Sequence, residues 1–103
     1  MIDLNKLCTK SLDDAITRVV NGANVKIDTR SMLKHCSTEV VEAMEAYTKW
    51  VAYSSKNQFE SELADIIVCC LIIAGNEEID IENAIQTCIE KNHKRAEMIG
   101  DKL

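Results

Sequence analysis

Residues 60–74 read ESELADIIVCCLIIA, and the fold turns on what such a run can be. From Ile66 to Ala74 it is apolar without a break, so at about 100° per residue a helix here is apolar on every side. A helix of that kind must be surrounded by protein. It falls short of a membrane span, since the run is about half of the roughly 20 residues a bilayer needs. Asp65 directly precedes the run, and its angular sector continues through Cys69 and Ile72, so Asp65 is expected in the interior with Glu62 one turn before it. Isolated buried carboxylates are costly, and they are relieved by protonation, by a cationic partner or by a metal ion. The plainer reading is that both acids sit in a helix's first turns, where the macrodipole favours them.

Around this run the chain reads as helices throughout. There is no proline, glycine occurs only three times and 47% of residues are apolar, a composition suited to helix interiors. A first helix is expected to open at Ser11 with Asp14 as a weak capping box and to stop at Asn21-Gly22. A second follows Asp28-Thr29 and continues to about Ala52, with SSKNQ (54–58) as the polar connector. The third spans Phe59 to Ala74 and ends at Gly75-Asn76, and the fourth starts after Asp80 and stops at Gly100. Each glycine thus falls at a proposed helix end. The leading MIDLNKLCTK reads equally as a frayed lead or as a further helical turn. With 103 residues and short connections, the expectation over 1–103 is a single domain, an antiparallel four-helix bundle.

The second helix carries its own acids in STEVVEAMEAY (37–47), which spaces Glu39, Glu42 and Glu45 three apart. Residues at that spacing lie on adjacent turns, about 5–6 Å apart. Met32, Cys36, Val40, Ala43, Met44, Tyr47, Trp50 and Val51 form the expected apolar arc. Glu39 lies only about 20° around the helix from Met32, whereas Glu42 is further out and Glu45 further still. A solvated stripe suits Glu45, accommodates Glu42 and fits Glu39 poorly. Two acidic pairs on neighbouring antiparallel helices, Glu39 with Glu42 and Glu62 with Asp65, repel one another unless hard cations sit between them. Ligation by oxygen alone selects Mg²⁺ or Mn²⁺ over zinc.

On the fourth helix the seam Ile81, Ile85, Cys88 is interrupted by Asn92 before Ala96 and Ile99, with Arg95 beside it. Either the helix end leaves the core there, or Asn92 and Arg95 meet a ligand. Arg95 suits a phosphate oxygen, and Lys91 can serve from the flank.

Twelve Lys and Arg against 17 Asp and Glu give a formal charge of -5, which leaves no basic footprint for a nucleic acid polymer. An acidic chain can still handle phosphates through a bridging divalent cation. Cysteines at 8, 36, 69, 70 and 88 make no CxxC pair and are odd in number, which fits a reducing, cytoplasmic setting. The N-terminus has no apolar signal core, so neither membrane nor targeting segment is expected. His35 and His93 pair with no Cys or Asp at ligand spacing, which speaks against zinc or a histidine-based nucleophilic centre. Cys69 and Cys70 point about 100° apart and read as small core residues.

Taken in order, ExxE at 39–42, ELADI at 62–66, IDIENAI at 79–85 and NxxR at 92–95 resemble the all-α nucleoside triphosphate pyrophosphatases, the MazG-like group. The resemblance covers residues 30 to 97. It implies a helical fold that forms homodimers or homotetramers around a metal-dependent site and cleaves a nucleotide between its α and β phosphates, as in clearance of surplus (d)NTPs. Carried over, Glu39, Glu42, Glu62 and Asp65 match the Mg²⁺ ligands, with Glu39 or Glu42 taking the proton of the attacking water. Asn92 and Arg95 match the substrate-side NxxR. Where members of the group often place a lysine four before that asparagine, this chain has Cys88, and Lys91 is aimed about 60° away. Trp50, Tyr47 and Tyr53 are the aromatics available to stack a base, although helical spacing also makes Tyr47 and Trp50 ordinary core. Two other readings stand beside this one: a phosphoribosyl-ATP pyrophosphatase of shared chemistry, and a helical interaction module whose acids are structural.

Overall fold

The computed structural model describes residues 2–53 and 56–98. They form four helices and, among the described residues, no strand: α1 (Leu4–Val20), α2 (Thr29–Tyr53), α3 (Asn57–Asn76) and α4 (Ile81–Glu97). The all-α expectation therefore holds, with shifts at the helix ends that have local causes.

α1 begins at Leu4, not at Ser11. Asp3 caps it, its side chain accepting from the Lys6 N–H at 3.1 Å, and the early turn buries Cys8 against Leu71 and Ala74 of α3. An aspartate cap backed by buried contacts outweighs the weaker serine signal downstream. The other end is as expected: Gly22 takes φ +96°, and the Ala23 N–H returns to the Arg18 carbonyl at 2.9 Å. α2 starts where Asp28 accepts from the Ser31 N–H at 3.1 Å; hydrogen bonding from the Ser31 hydroxyl, and after it from this N–H, holds the Asp28 carboxyl below the usual range.

The proposed stop at Gly75-Asn76 is different in kind. Gly75 lies within α3, and the residue in the left-handed region is Glu78, at φ 53°. What Gly75 provides is proximity. A Cβ there would come within 3.2 Å of the Cys8 carbonyl oxygen and of Leu12 Cβ, so the missing side chain lets α1 lie directly on α3. Asn57 and Gln58, expected in the connector, are in the first turn of α3, whereas Ser54, Ser55 and the expected stop at Gly100 lie outside the described residues.

α3 is the central element, with α2 packed along one side and α1 along another. Asn76 Nδ2 donates to the Ile27 carbonyl, and Thr29 Oγ1 donates to Glu77 Oε1 at 2.6 Å. These bonds pin the α1–α2 connection to the end of α3, so that α2 and α3 run antiparallel. α4 packs on α1, through Ile81 and a set of reciprocal caps at its base. The Leu4 N–H donates to Glu82 Oε1 at 2.8 Å, Asn5 Nδ2 donates to Asp80 Oδ1 at 3.1 Å, and the Ile81 N–H donates to Asn5 Oδ1 at 3.2 Å. Two helix N-termini thereby satisfy each other's free N–H groups. The bond from Asn5 also holds the Asp80 carboxyl below its ordinary value.

The apolar arc expected on α2 is displaced. Met32 and Ala43 are buried as foreseen, but Ala46 joins them, while Val40, Met44 and Val51 are exposed, Met44 at 64%. On α3 Ile67 is 58% exposed despite the apolar surroundings expected for it. The radius of gyration, 16.5 Å, exceeds the roughly 13 Å of a compact chain of this length. One copy leaves apolar faces of α2 and α3 uncovered.

Substituting Gly75→Val is expected to force α1 off α3 and lower stability by about 1–3 kcal/mol, the usual range for overpacking. Urea unfolding monitored by circular dichroism measures it, and wild-type stability in the variant would show that α1 yields freely at this contact.

Candidate metal and substrate site

Residues at spacing four and three along α2, namely Met32, Cys36, Glu39, Ala43, Ala46 and Trp50, are all buried or half-buried. Phe59, Glu62, Ile66, Cys69 and Ile73 form the matching stripe on α3. Such a stripe is the seam by which two helices pack. Each seam has one carboxylate at a position that packing assigns to an apolar side chain. Toward one end Met32, Cys69 and Ile72 form a core cluster, and the Cys69 thiol donates to the Met32 carbonyl at 3.3 Å. Toward the other end Trp50 stacks on Phe59, centroids 5.5 Å apart, and Tyr47 lies against both rings. Glu39 and Glu62 stand between these two anchors.

Carboxylate oxygens of Glu39, Glu42 and Glu62 lie within 4.8 Å of one another. The Glu39 side chain is only 12% exposed, and its Oε1 pairs with His35 Nε2 at 3.0 Å. Its Oε2, like Oε2 of Glu62, is buried with no hydrogen-bond partner. Burial pushes the Glu62 carboxyl above its ordinary value, and the charges of Glu42, Glu39 and Asp65 push the same way. Two orphaned oxygens aimed into a cluster of like charges are what a hard divalent cation satisfies, and oxygen donors suit such an ion. The residues fit the group. Without an ion the same set is a local reservoir of repulsion.

The other expected site residues are distributed differently. Asp65 is exposed, not interior. It lines a groove with Glu39 and reaches Glu62 through charge, but stands outside the three-carboxylate group. The α3 sector that continues through Cys69 and Ile72 is covered farther along the helix, by Ala15 of α1 and Met32 of α2 together. Trp50 is half-buried in the aromatic end of the hairpin, and the Tyr53 side chain lies outside the described residues. Lys91, Asn92 and Arg95 are all exposed on α4, and α4 packs on α1 and, through Ile81, against the cluster of Cys8, Leu71 and Ala74. Asn92 Nδ2 donates to Cys88 Sγ at 3.9 Å, so the residue at the lysine position touches the asparagine. His35 belongs to the site although no metal-ligand spacing marks it. The spacing that could have found it is the i,i+4 relation to Glu39.

A family model described as the MazG nucleotide pyrophosphohydrolase domain matches residues 27–99. That segment contains α2, α3 and α4 and every acid of the cluster. No curated protein and no solved structure matches the chain significantly. Among the described residues no helix is long and apolar enough to cross a membrane.

In metal-free buffer Glu62→Gln is expected to raise the melting temperature at neutral pH. The folded chain holds the Glu62 proton more readily than the unfolded chain, whose glutamate titrates near the ordinary 4.5. Ionising it above that value therefore costs the fold, and wild type recovers stability as pH falls from neutral through the raised pKa. The advantage of the variant should shrink over that interval and vanish near pH 4.5. Melting curves across the range test this, and an advantage that persists in acid would mean that charge is not what Glu62 contributes.

Proposed function

The chain belongs to the MazG nucleotide pyrophosphohydrolase family, and on that premise we propose that it cleaves a nucleoside triphosphate between the α and β phosphates, releasing the monophosphate and pyrophosphate. The observation that carries this reading is that Glu39 Oε2 and Glu62 Oε2 are buried without partners on two carboxylates that, with Glu42, bring oxygens within 4.8 Å of one another. A purely structural interaction module gains nothing from two desolvated carboxylates at seam positions, because apolar residues there would be more stable.

Glu39, Glu42 and Glu62 hold Mg²⁺, or Mn²⁺ in its place, with Asp65 completing the set from the groove side. When bound, the ion neutralises phosphate charge and lowers the pKa of a water that attacks the α phosphorus. Glu39 is fixed by His35 and by the hairpin wall, whereas Glu42 stands on the open side, and one of the two accepts the proton of that water. Fixing the acceptor beforehand is what makes the transfer efficient, since geometry precedes pKa in general base catalysis.

Lys91, Asn92 and Arg95 contact the substrate from a second copy of the chain. Two observations support this arrangement: α4 packs chiefly on α1, and apolar side chains of α2 and α3 are left exposed. A homodimer or homotetramer covers those faces and brings NxxR to the carboxylates. Trp50, stacked by Phe59 on one side, offers an aromatic surface for the base. Five free thiols suit a reducing cytoplasm, where removal of unwanted (d)NTPs is the role.

Pyrophosphate release from a panel of nucleotides with Mg²⁺ is the direct test, and silence from every nucleotide, phosphoribosyl-ATP included, would defeat the proposal. Mg²⁺ at about 100 times its dissociation constant should stabilise the fold by about 2.7 kcal/mol, an effect that Asp65→Asn should diminish. Arg95→Ala and Glu62→Gln should each be nearly inactive, with losses at or above the roughly 10- to 100-fold typical of outer-shell changes at metal sites. Mixing the two variants should restore part of the activity, because some sites then draw an intact α4 from one copy and intact acids from another. No recovery on mixing would place the whole site in one chain.

A further inference from the structure

Beside the carboxylates a groove of about 530 Å³ runs between α1, α2 and α3. Its floor includes Met32, Cys69 and Ile72, and Glu39 and Asp65 are part of its wall. Three cations from three separate places also line it: Arg18 from α1, Lys26 from the α1–α2 connection and Lys34 from α2. None of them forms an ion pair among the described residues, where the pairs are His35–Glu39, Lys56–Glu60 and His93–Glu97. In a chain with 17 acids and 12 Lys and Arg, three cations without an ion pair, gathered around a groove whose wall also carries Glu39 and Asp65, are available to a further anion.

Resting on the hydrolase reading above, we propose that Arg18, Lys26 and Lys34 seat the phosphates beyond the scissile bond, so that the groove receives the pyrophosphate portion of the substrate. Guanidinium and ammonium groups are the side chains that hold phosphoryl oxygens most strongly. The groove shares Glu39 and Asp65 with the candidate metal ligands, so an anion on the cations and an ion on the acids occupy one continuous space. The same sharing imposes an order. With the carboxylates bare, Glu39 and Asp65 repel a polyphosphate; once their charge is neutralised, the three cations dominate. Metal and pyrophosphate therefore bind with positive coupling, each raising the affinity of the other. The seat also supplies phosphate contacts that position 88, a cysteine, cannot.

Inorganic pyrophosphate is the probe. With Mg²⁺ in excess it should raise the melting temperature of the wild-type chain and inhibit hydrolysis competitively; without divalent ions it should do neither. Arg18→Ala, Lys26→Ala and Lys34→Ala should each weaken pyrophosphate binding by roughly ten- to a hundredfold, the usual effect of removing a charged hydrogen bond. Lys34→Arg should retain it, and inhibition by nucleoside monophosphate should be unchanged in all four. Circular dichroism confirms that the variants, altered only at exposed side chains, are folded. Normal pyrophosphate binding in the alanine variants, or loss of monophosphate inhibition in place of pyrophosphate inhibition, would overturn the seat. Should the chain hydrolyse nucleotides while the variants keep wild-type KM and pyrophosphate inhibition, the seat falls and the hydrolase stands. Should it bind pyrophosphate through these cations yet hydrolyse nothing, the reverse holds.

Discussion

The structure depends on holding two carboxylates where a helix pair ordinarily places apolar side chains. Glu39 and Glu62 occupy seam positions of α2 and α3, and a seam closes around charge only if its neighbours bring the backbones together firmly. Small side chains do this along the hairpin: Cys36, Ala43 and Ala46 on α2, and Cys69 on α3. Larger ones clamp the ends, Met32 with Ile72 at one and Trp50 with Phe59 at the other. A destabilising centre held between two stabilising ends is preorganised, because side chains that cannot relax away from one another need no reordering when a cation arrives.

The same economy explains why so much apolar surface is left outside. A chain this short buries only a limited core, and here α1, α2 and α3 devote theirs to securing the hairpin. Val40, Met44 and Val51 on α2 and Leu63 and Ile67 on α3 are left exposed. α4 has no buried residue at all, although its own seam of isoleucines is intact.

The inward acid on α2 was legible in the sequence because angle alone put Glu39 beside Met32, and periodicity is the strongest signal a helix offers. Asp65 was misjudged for a related reason. A run that is apolar on every side shows that a helix is covered, without showing by what or along how much of its length, and the cover supplied by α1 lies farther along at Cys69, Leu71 and Ile72. Gly75 was read as a stop because glycine more often serves conformation than proximity, and close approach of a distant helix is a tertiary fact. Ala46 escaped notice because alanine weighs little in a hydrophobic pattern while mattering greatly to how near two helices can come. The match of residues 27–99 to a family model agrees with the ordered acidic motifs, whereas the cationic groove depends on Arg18, which precedes the matched segment and reaches the groove only because α1 lies on α3.

The caps that join α1 to α4 act only at the first turn of α4, through Asp80, Ile81 and Glu82. Beyond that turn, among the described residues, no hydrogen bond ties α4 to another helix. Asn92 lies eleven residues from Ile81, about 16 Å along the axis at 1.5 Å per residue, so a tilt of about 10° at the base sweeps it through nearly 3 Å. That distance is the length of a hydrogen bond, so the angle at which these caps hold the base of α4 fixes the reach of polar residues about three turns away.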